Sequence, residues 1–337
     1  MATRSVALVV LLACSVHLLN SHAQQPVTTV SLAPPSPPII VDGLEVLPVQ
    51  GSVHMIVGAG ANVAVQTGDE GPFVVDAGGA GNSEKLLAAV TRLTNRPVRF
   101  LVNTNADVDH TAGNEAIVKA QRGTRGPRPG GGGGGAGQNV GVVSVAHENA
   151  YNRMSTGSRG VPPLTGDGLP ASTFFTPRKD LFSNGEPVQL ISQPGAHTDG
   201  DILVFFRKSD VVVAGDVFVT TSYPVIDTSQ GGSVRGVIDA LNAIIELTVP
   251  ERNQMGGTRV IPGHGRICNE ADVVEYRDMV TIVRDRVQEM AKKGMSLQQV
   301  RAARPSLEYD GIYGATTGEW TTDMFLETIY REVSGGK

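Results

Sequence analysis

Cysteine is nearly absent: only Cys14 and Cys268 occur in 337 residues. Cys14 falls inside an apolar leader, so the rest of the chain keeps one thiol and is expected to hold no internal disulfide. Export permits disulfides, but a core of this size does not require them. Basic charge is also scarce. Once Arg4 is set aside with the leader, 27 Lys and Arg face 33 Asp and Glu, a balance of −6. That balance gives no footprint for nucleic acid or for an acidic membrane surface. Long apolar runs are missing beyond residues 5–19, and that one is too short and too near a cleavage site to span a bilayer. The six-glycine run from Gly130 is not followed by Gly-Lys-Ser/Thr, so it does not read as a phosphate-binding loop. Only five histidines lie beyond residue 23: His54, His110, His147, His197 and His264.

What is present divides the chain. Residues 1–23 read as a secretory signal, with Arg4 in front, an apolar stretch, and Ser21-His22-Ala23 supplying small residues at −3 and −1. The expected product is exported, periplasmic or secreted. A lipoprotein signal ending at Cys14 is the rival, disfavoured because the apolar run continues to Leu19. Residues 24–43 are Pro-rich and read as a linker. Residues 44–337 read as one domain, with a flexible Gly-rich insertion at 121–138 and a C-terminal helical extension from about 293. Short β-rich runs are expected at 44–49, 53–57, 63–66, 73–76, 99–103, 140–145, 188–192, 202–207, 211–214 and 259–261. Helices are expected near 82–94 (capped by Ser83), 111–120, 147–155, 233–247, 271–292, 296–302 and 321–333. Two β-rich halves with helices outside predict an α/β protein, an αββα sandwich of two mixed sheets flanked by helices.

Several strand-like runs end in a turn carrying His or Asp, the side chains that bind Zn, Fe and Mn. They are Asn105-Ala106-Asp107-Val108-Asp109-His110, then His197 in Gly-Ala-His-Thr-Asp-Gly-Asp, Asp216 in Val-Ala-Gly-Asp, and His264 in Pro-Gly-His-Gly. This order and spacing resemble the metallo-β-lactamase fold superfamily, whose His-x-His-x-Asp-His motif is followed by His, Asp and His. Asn105 and Asp107 stand where that motif has its first two histidines. The resemblance, covering roughly residues 44–290, implies that Asp109, His110, His264 and Asp216 form one metal position, with Asp216 shared. Asp107, His197 and Asp216 would form a second, looser one, with Asn105 as a weak ligand through its carbonyl. Asp107, Asp109 and Asp216 carry −3, which one divalent ion reduces to −1 and two ions turn to +1. The implied cofactor is Zn, one ion bound tightly and a second more weakly. Fe or Mn is an alternative at the oxygen-rich position.

Asp76 would brace the ligand loop, and Asp199 and Asp201 would order the turn bearing His197. His147 reads as a helix cap, His54 as a partly buried strand residue and Cys268 as a buried spectator. The turn 58–62 and the loop 156–172 read as substrate walls. The resemblance implies a metal-dependent hydrolase in which a metal-bound hydroxide, oriented by Asp109, attacks the carbonyl of a small ester, lactone, thioester or amide, β-lactams included. Two alternatives stay open: a metal- or ligand-binding protein that kept the fold without turnover, and a di-iron redox protein.

Overall fold

The computed structural model describes residues 38–122, 141–157 and 161–335. The expected leader, most of the linker and most of the Gly-rich insertion lie outside the described residues. The first sheet takes β1 (Ile39–Val41), β2 (Leu44–Gln50), β3 (Val53–Val57), β4 (Val63–Gln66) and β5 (Phe73–Val75). After helix α1 (Ser83–Leu93) come β6 (Phe100–Val102), helices α2 (Val108–Thr111) and α3 (Asn114–Ala120), β7 (Val143–His147), α4 (Glu148–Thr156) and β8 (Ser172–Phe174). These eight strands lie side by side in chain order. Pairing is antiparallel from β1 to β5 and parallel from β5 to β8.

The second sheet takes β9 (Arg178–Ser183), β10 (Glu186–Gln193), β11 (Asp201–Phe206) and β12 (Val211–Gly215), then, after α5 (Val234–Leu247), β13 (Arg259–Pro262). Its order is β13-β12-β11-β10-β9, parallel between β12 and β13 and antiparallel elsewhere. The chain closes with α6 (Glu270–Lys292), α7 (Leu297–Ala303), α8 (Asp310–Tyr313) and α9 (Thr322–Val333). No described helix is long and apolar enough to cross a membrane.

Alternation along the strands builds the layers, because successive strand side chains point to opposite faces. Phe100 and Val102 join Val211, Val213 and Ile261 in a cluster between the two sheets. Phe73 there stacks on Phe100 with centroids 5.0 Å apart and meets Phe206 of the other sheet edge-on at 5.4 Å. Leu101, facing the other way, packs with Leu86, Ala89 and Val90 of α1 and Ile117 of α3. Val212 and Ala214 pack with residues of α5, α6, α7 and α9. Central strands buried on both faces read as unbroken apolar runs, as Val-Val-Val-Ala does. Several of the helices begin at side-chain caps. Ser233 accepts from the Gly236 amide, and Asn269 with Asp272 and Ser296 with Gln299 form capping boxes. The α/β sandwich of two mixed sheets between helices is therefore as expected.

Four local expectations change. Ile39–Val41, assigned to the linker, pairs as edge strand β1 with Leu44–Val46. Ser83 opens α1 without capping it; Asn82 holds the cap position and gives its amide to the Ala59 carbonyl. The single helix expected over 111–120 is two, broken at Ala112–Gly113. The His110 carbonyl accepts from the Ala77 amide at 2.7 Å and from Asn103 Nδ2 at 3.3 Å, so it is not spent on a continuing helical turn. The turn 58–62 is only partly open: Gly58 and Gly60 are exposed, while Ala59, Ala61 and Asn62 are buried. Ala61 donates to the Asp109 carbonyl, and Asn62 Nδ2 donates to the carbonyls of Pro262 and Gly265.

Candidate metal centre

Each chemistry-bearing residue leaves the end of a strand. Asp76 follows β5, Asn105 to His110 follow β6, His197 sits in the β10–β11 turn, Asp216 follows β12 and His264 follows β13. The ends of β12 and β13 approach closely because two glycines allow it. Gly215 has φ +52, and a Cβ there would meet Thr104 Oγ1 at 2.6 Å; a Cβ on Gly263 would strike the Asp216 carboxylate.

Among the described residues two groups of possible ligands result: Asp109, His110 and His264, and Asp107, His197 and Asp216. Within each, one ligand atom per residue lies within 4.8 Å of the others. Asp216 lies between the groups, its Oδ2 3.0 Å from His110 Nε2 and its Oδ1 3.7 Å from His264 Nε2. Asp109 Oδ2 is 3.0 Å from His264 Nε2, and Asp107 Oδ2 is 3.1 Å from His197 Nε2. His110 and His197 form a buried floor, while Asp107, Asp109 and His264 are about one-third exposed and form the rim.

The surrounding shell fixes both floor histidines. His110 Nδ1 lies 2.8 Å from Asp76 Oδ2, which also accepts from Thr104 Oγ1 at 2.7 Å. Asp76 Oδ1 takes the Thr104 amide at 2.7 Å. Asp76 holds this position at φ +65, an uncommon conformation for a residue with a side chain. His197 Nδ1 lies 2.8 Å from the Val225 carbonyl, which can only accept, so Nδ1 carries the hydrogen and Nε2 faces the centre. Asp201 accepts from the Thr198 amide and hydroxyl, closing the His197 turn. Asp199 ties that turn to α4, through an ion pair with Arg153 and a hydrogen bond from Asn149 to its carbonyl. His147 caps α4 by accepting from the Asn149 amide. His54 is half-buried and Cys268 buried.

Asn105 departs from its expected role. Its Oδ1 accepts from the Asp107 amide at 2.9 Å, which turns Nδ2 toward Asp216 Oδ2 at 3.1 Å. The atom facing the centre is a donor, which cannot ligate a cation. Asn105 therefore positions Asp216 instead of binding beside it. Sequence reasoning missed Thr104, Arg153 and the Val225 carbonyl. Thr104, immediately before the motif, carried a faint signal; a backbone carbonyl carries none.

The electrostatics favour positive charge here. Burial works against a charged His110, but Asp216 and Asp76 outweigh it and hold its pKa well above normal. Burial likewise opposes charge on His197, yet Asp107, Asp201 and Asp216 raise its pKa to about 10. His264 is raised chiefly by its hydrogen bond to Asp109. Burial would lift the Asp216 carboxyl, but His110, His197 and His264 together pull it well below the usual range. Asp109 is also lowered, its contact with His264 overcoming burial. Burial raises Asp201 to about 6. Among the described residues, buried His110 Nε2 and Asp216 Oδ1 make no well-formed hydrogen bond and are met only by the ion-pair contacts to Asp216 Oδ2 and His264 Nε2. A divalent cation would satisfy both atoms more fully than these contacts do. The donor set of imidazole and carboxylate suits Zn, so the residues fit the implied metal.

The sequence profile of the metallo-beta-lactamase superfamily matches residues 56–264, more than half of the chain. The chain belongs to that superfamily. It is 23% identical over 259 residues to a linear primary-alkylsulfatase of Pseudomonas sp. (strain ATCC 19151), covering 67% of this chain and 46% of that protein. The stereoselective inverting sec-alkylsulfatase Pisa1 from Pseudomonas sp. superposes with TM-score 0.56 at 15% identity, over 85% of this chain and 50% of that one. The chain thus spans about half the length of these alkylsulfatases. A metallo-beta-lactamase from Pontibacter korlensis superposes with TM-score 0.52 at 16% identity, over 71% of this chain and 99% of that one. At these identities the superpositions speak to the fold.

Proposed function

We propose that this member of the superfamily is an exported, metal-dependent hydrolase of small-molecule esters. The observation that carries the reading is the pair of ligand groups meeting at Asp216, with His110 Nε2 and Asp216 Oδ1 buried and without a well-formed hydrogen bond. Asp109, His110, His264 and Asp216 would hold the tighter ion, and Asp107, His197 and Asp216 the weaker. The first set, with two imidazoles, suits Zn; the second, richer in oxygen, accepts Fe or Mn as readily. A divalent ion bound here supplies a nucleophilic water at neutral pH and polarises the substrate oxygen.

The chain's own residues define the rest. Substrate must arrive over the rim of Asp107, Asp109 and His264, because His110 and His197 are sealed from solvent. Asp109, kept ionised by its lowered pKa, is an acceptor on that rim and orients the attacking water through its hydrogen. His110 and His197 act as fixed neutral donors once an ion takes the place of their second proton, and Asp76 and the Val225 carbonyl hold their rings in place. Similarity to the alkylsulfatases puts sulfate esters first among substrates, beside carboxylic esters, lactones, thioesters and amides including β-lactams. The leader 1–23 supports export, with cleavage after Ala23. Asn105 favours a second reading, a binding protein without turnover, because its donor leaves the Asp107–His197–Asp216 group one ligand short.

Metal-replete protein should hydrolyse at least one member of a panel of p-nitrophenyl sulfate, an alkyl sulfate, p-nitrophenyl esters, a lactone, a thioester and a chromogenic cephalosporin. Asp109→Asn should lower turnover by a factor on the order of 10² or more while the fold survives. His264→Ala should act mainly through lost metal and be partly rescued by added ion. Turnover of no panel member above the Asp109→Asn background would favour the binding protein.

A further inference from the structure

The loop from Val217 to Asp227 connects the metal centre to the C-terminal helices. Within it, Tyr223 is buried at 1% exposure and touches the C-terminal extension from several sides. Its ring stacks on Phe325 of α9 with centroids 4.6 Å apart and 11° between planes. Its amide donates to the Tyr313 carbonyl at 3.1 Å. Its hydroxyl lies 2.8 Å from Asp310 Oδ1 and 3.2 Å from the Ser306 carbonyl. Asp310 is itself held by the Ser306 hydroxyl at 2.9 Å and by Arg304 at 3.4 Å. One residue earlier, the Ser222 carbonyl accepts from Tyr276 of α6 at 3.0 Å.

Two residues later comes the Val225 carbonyl that takes the Nδ1 hydrogen of His197 at 2.8 Å. The Asp227 amide then donates to the His197 carbonyl at 2.9 Å. The segment orienting His197 is thus anchored through a short stretch of chain to a side chain clamped by α8 and α9. An outer partner of a metal-binding histidine fixes its tautomer and ring direction, and losing one costs about 10–100-fold in metal affinity.

We propose that Tyr223 is a positioning residue for His197, and that the C-terminal extension is thereby part of the metal centre instead of a separate appendage. This rests on reading Asp107, His197 and Asp216 as an ion site. Tyr223 acts on that group most directly: among the described residues it touches neither His110, which Asp76 and Thr104 brace, nor His264, and the Thr220 amide of the same loop, which holds the His264 carbonyl at 3.0 Å, lies one residue farther from Tyr223 than Val225 does.

The test compares wild type with Tyr223→Phe, which keeps the stacked ring and loses the bonds to Asp310 and Ser306, and with Tyr223→Ala. Val300→Ala, in the same apolar cluster, is the control for general loosening of the extension. Cobalt(II) titration followed by visible absorption reads the two ions separately. The expected result is a weaker ion bound about 5-fold less tightly in Tyr223→Phe and less tightly still in Tyr223→Ala. The tighter ion should change less than the weaker one in both, so that the ratio of affinities widens, and Val300→Ala should lower thermal stability with that ratio preserved. A second readout needs no metal. The His197 Nδ1 proton, assigned by its loss in His197→Gln, should exchange with solvent faster in Tyr223→Phe than in wild type or Val300→Ala. Unchanged weaker-ion affinity and unchanged exchange in Tyr223→Phe would overturn the proposal, as would an equal effect of Val300→Ala. Wild type taking up one ion only would instead overturn the ion-site reading on which the proposal rests.

Discussion

Asn105 stands where the superfamily motif has an imidazole, and both ends of its amide are spent inside the protein. The Asp107 amide fixes its oxygen, and its nitrogen reaches Asp216. Asn105→Ala should therefore remove a brace from the shared carboxylate and weaken the second ion roughly 10-fold. Asn105→His should instead tighten that ion by adding a ligand. Titration of both ions in Asn105→Ala distinguishes brace from ligand: a lost brace on the shared Asp216 should also weaken the tighter ion, whereas a lost carbonyl ligand would weaken the second ion alone. Protons compete with ions at these residues. In metal-free protein His197 has its pKa raised from 6.5 to about 10. A pKa raised by folding contributes stability that is complete below about 6.5 and is lost as pH climbs toward 10. Metal-free protein should accordingly lose stability across that window in urea unfolding. Metal-loaded protein should lose less, because metal binding strengthens as its ligands lose protons. Equal pH dependence of the two forms would contradict the assignment of His197 as a ligand.

Among the elements, the break between α2 and α3 matters most to the centre. It lets His110 turn its carbonyl to Ala77 while its ring meets Asp76. Gly113 sits at the break, where a Cβ would run into the Ala77 carbonyl. Gly113→Ala should cost about 1–3 kcal/mol by overpacking and weaken the tighter ion, measured by urea unfolding and by metal titration of the same protein. Sequence periodicity placed the central strands well, because runs such as Phe-Val-Val and Val-Val-Val-Ala bury both faces and end in turns carrying Asp. It did not show β8 and β9. Arg178-Lys179-Asp180-Leu181-Phe182-Ser183 alternates exposed and covered residues at a sheet edge, and its pairing with β10, not its composition, makes it a strand. The α2–α3 break was equally hidden, since it follows from where one carbonyl points.

For the molecule as a whole, the two sheets carry parallel pairs, β5–β6 and β12–β13, whose ends bring Asp76, the Asn105–His110 run, Asp216 and His264 together. The candidate ligand groups were legible because each residue follows an apolar run or a turn in its own motif. Its asymmetry was legible only in part. Asn105 marked the weaker group, but the direction of its amide needed the Asp107 backbone, and the hold on His197 needed a loop and a C-terminal extension remote in sequence. The central claim is that two unequal ions meet at Asp216. Metal-free, full-length protein titrated with Zn(II) at neutral pH tests it most directly. The account predicts one tight ion and a second at least tenfold weaker, a gap of about 1.4 kcal/mol or more. Two equally tight ions, or none, would contradict it.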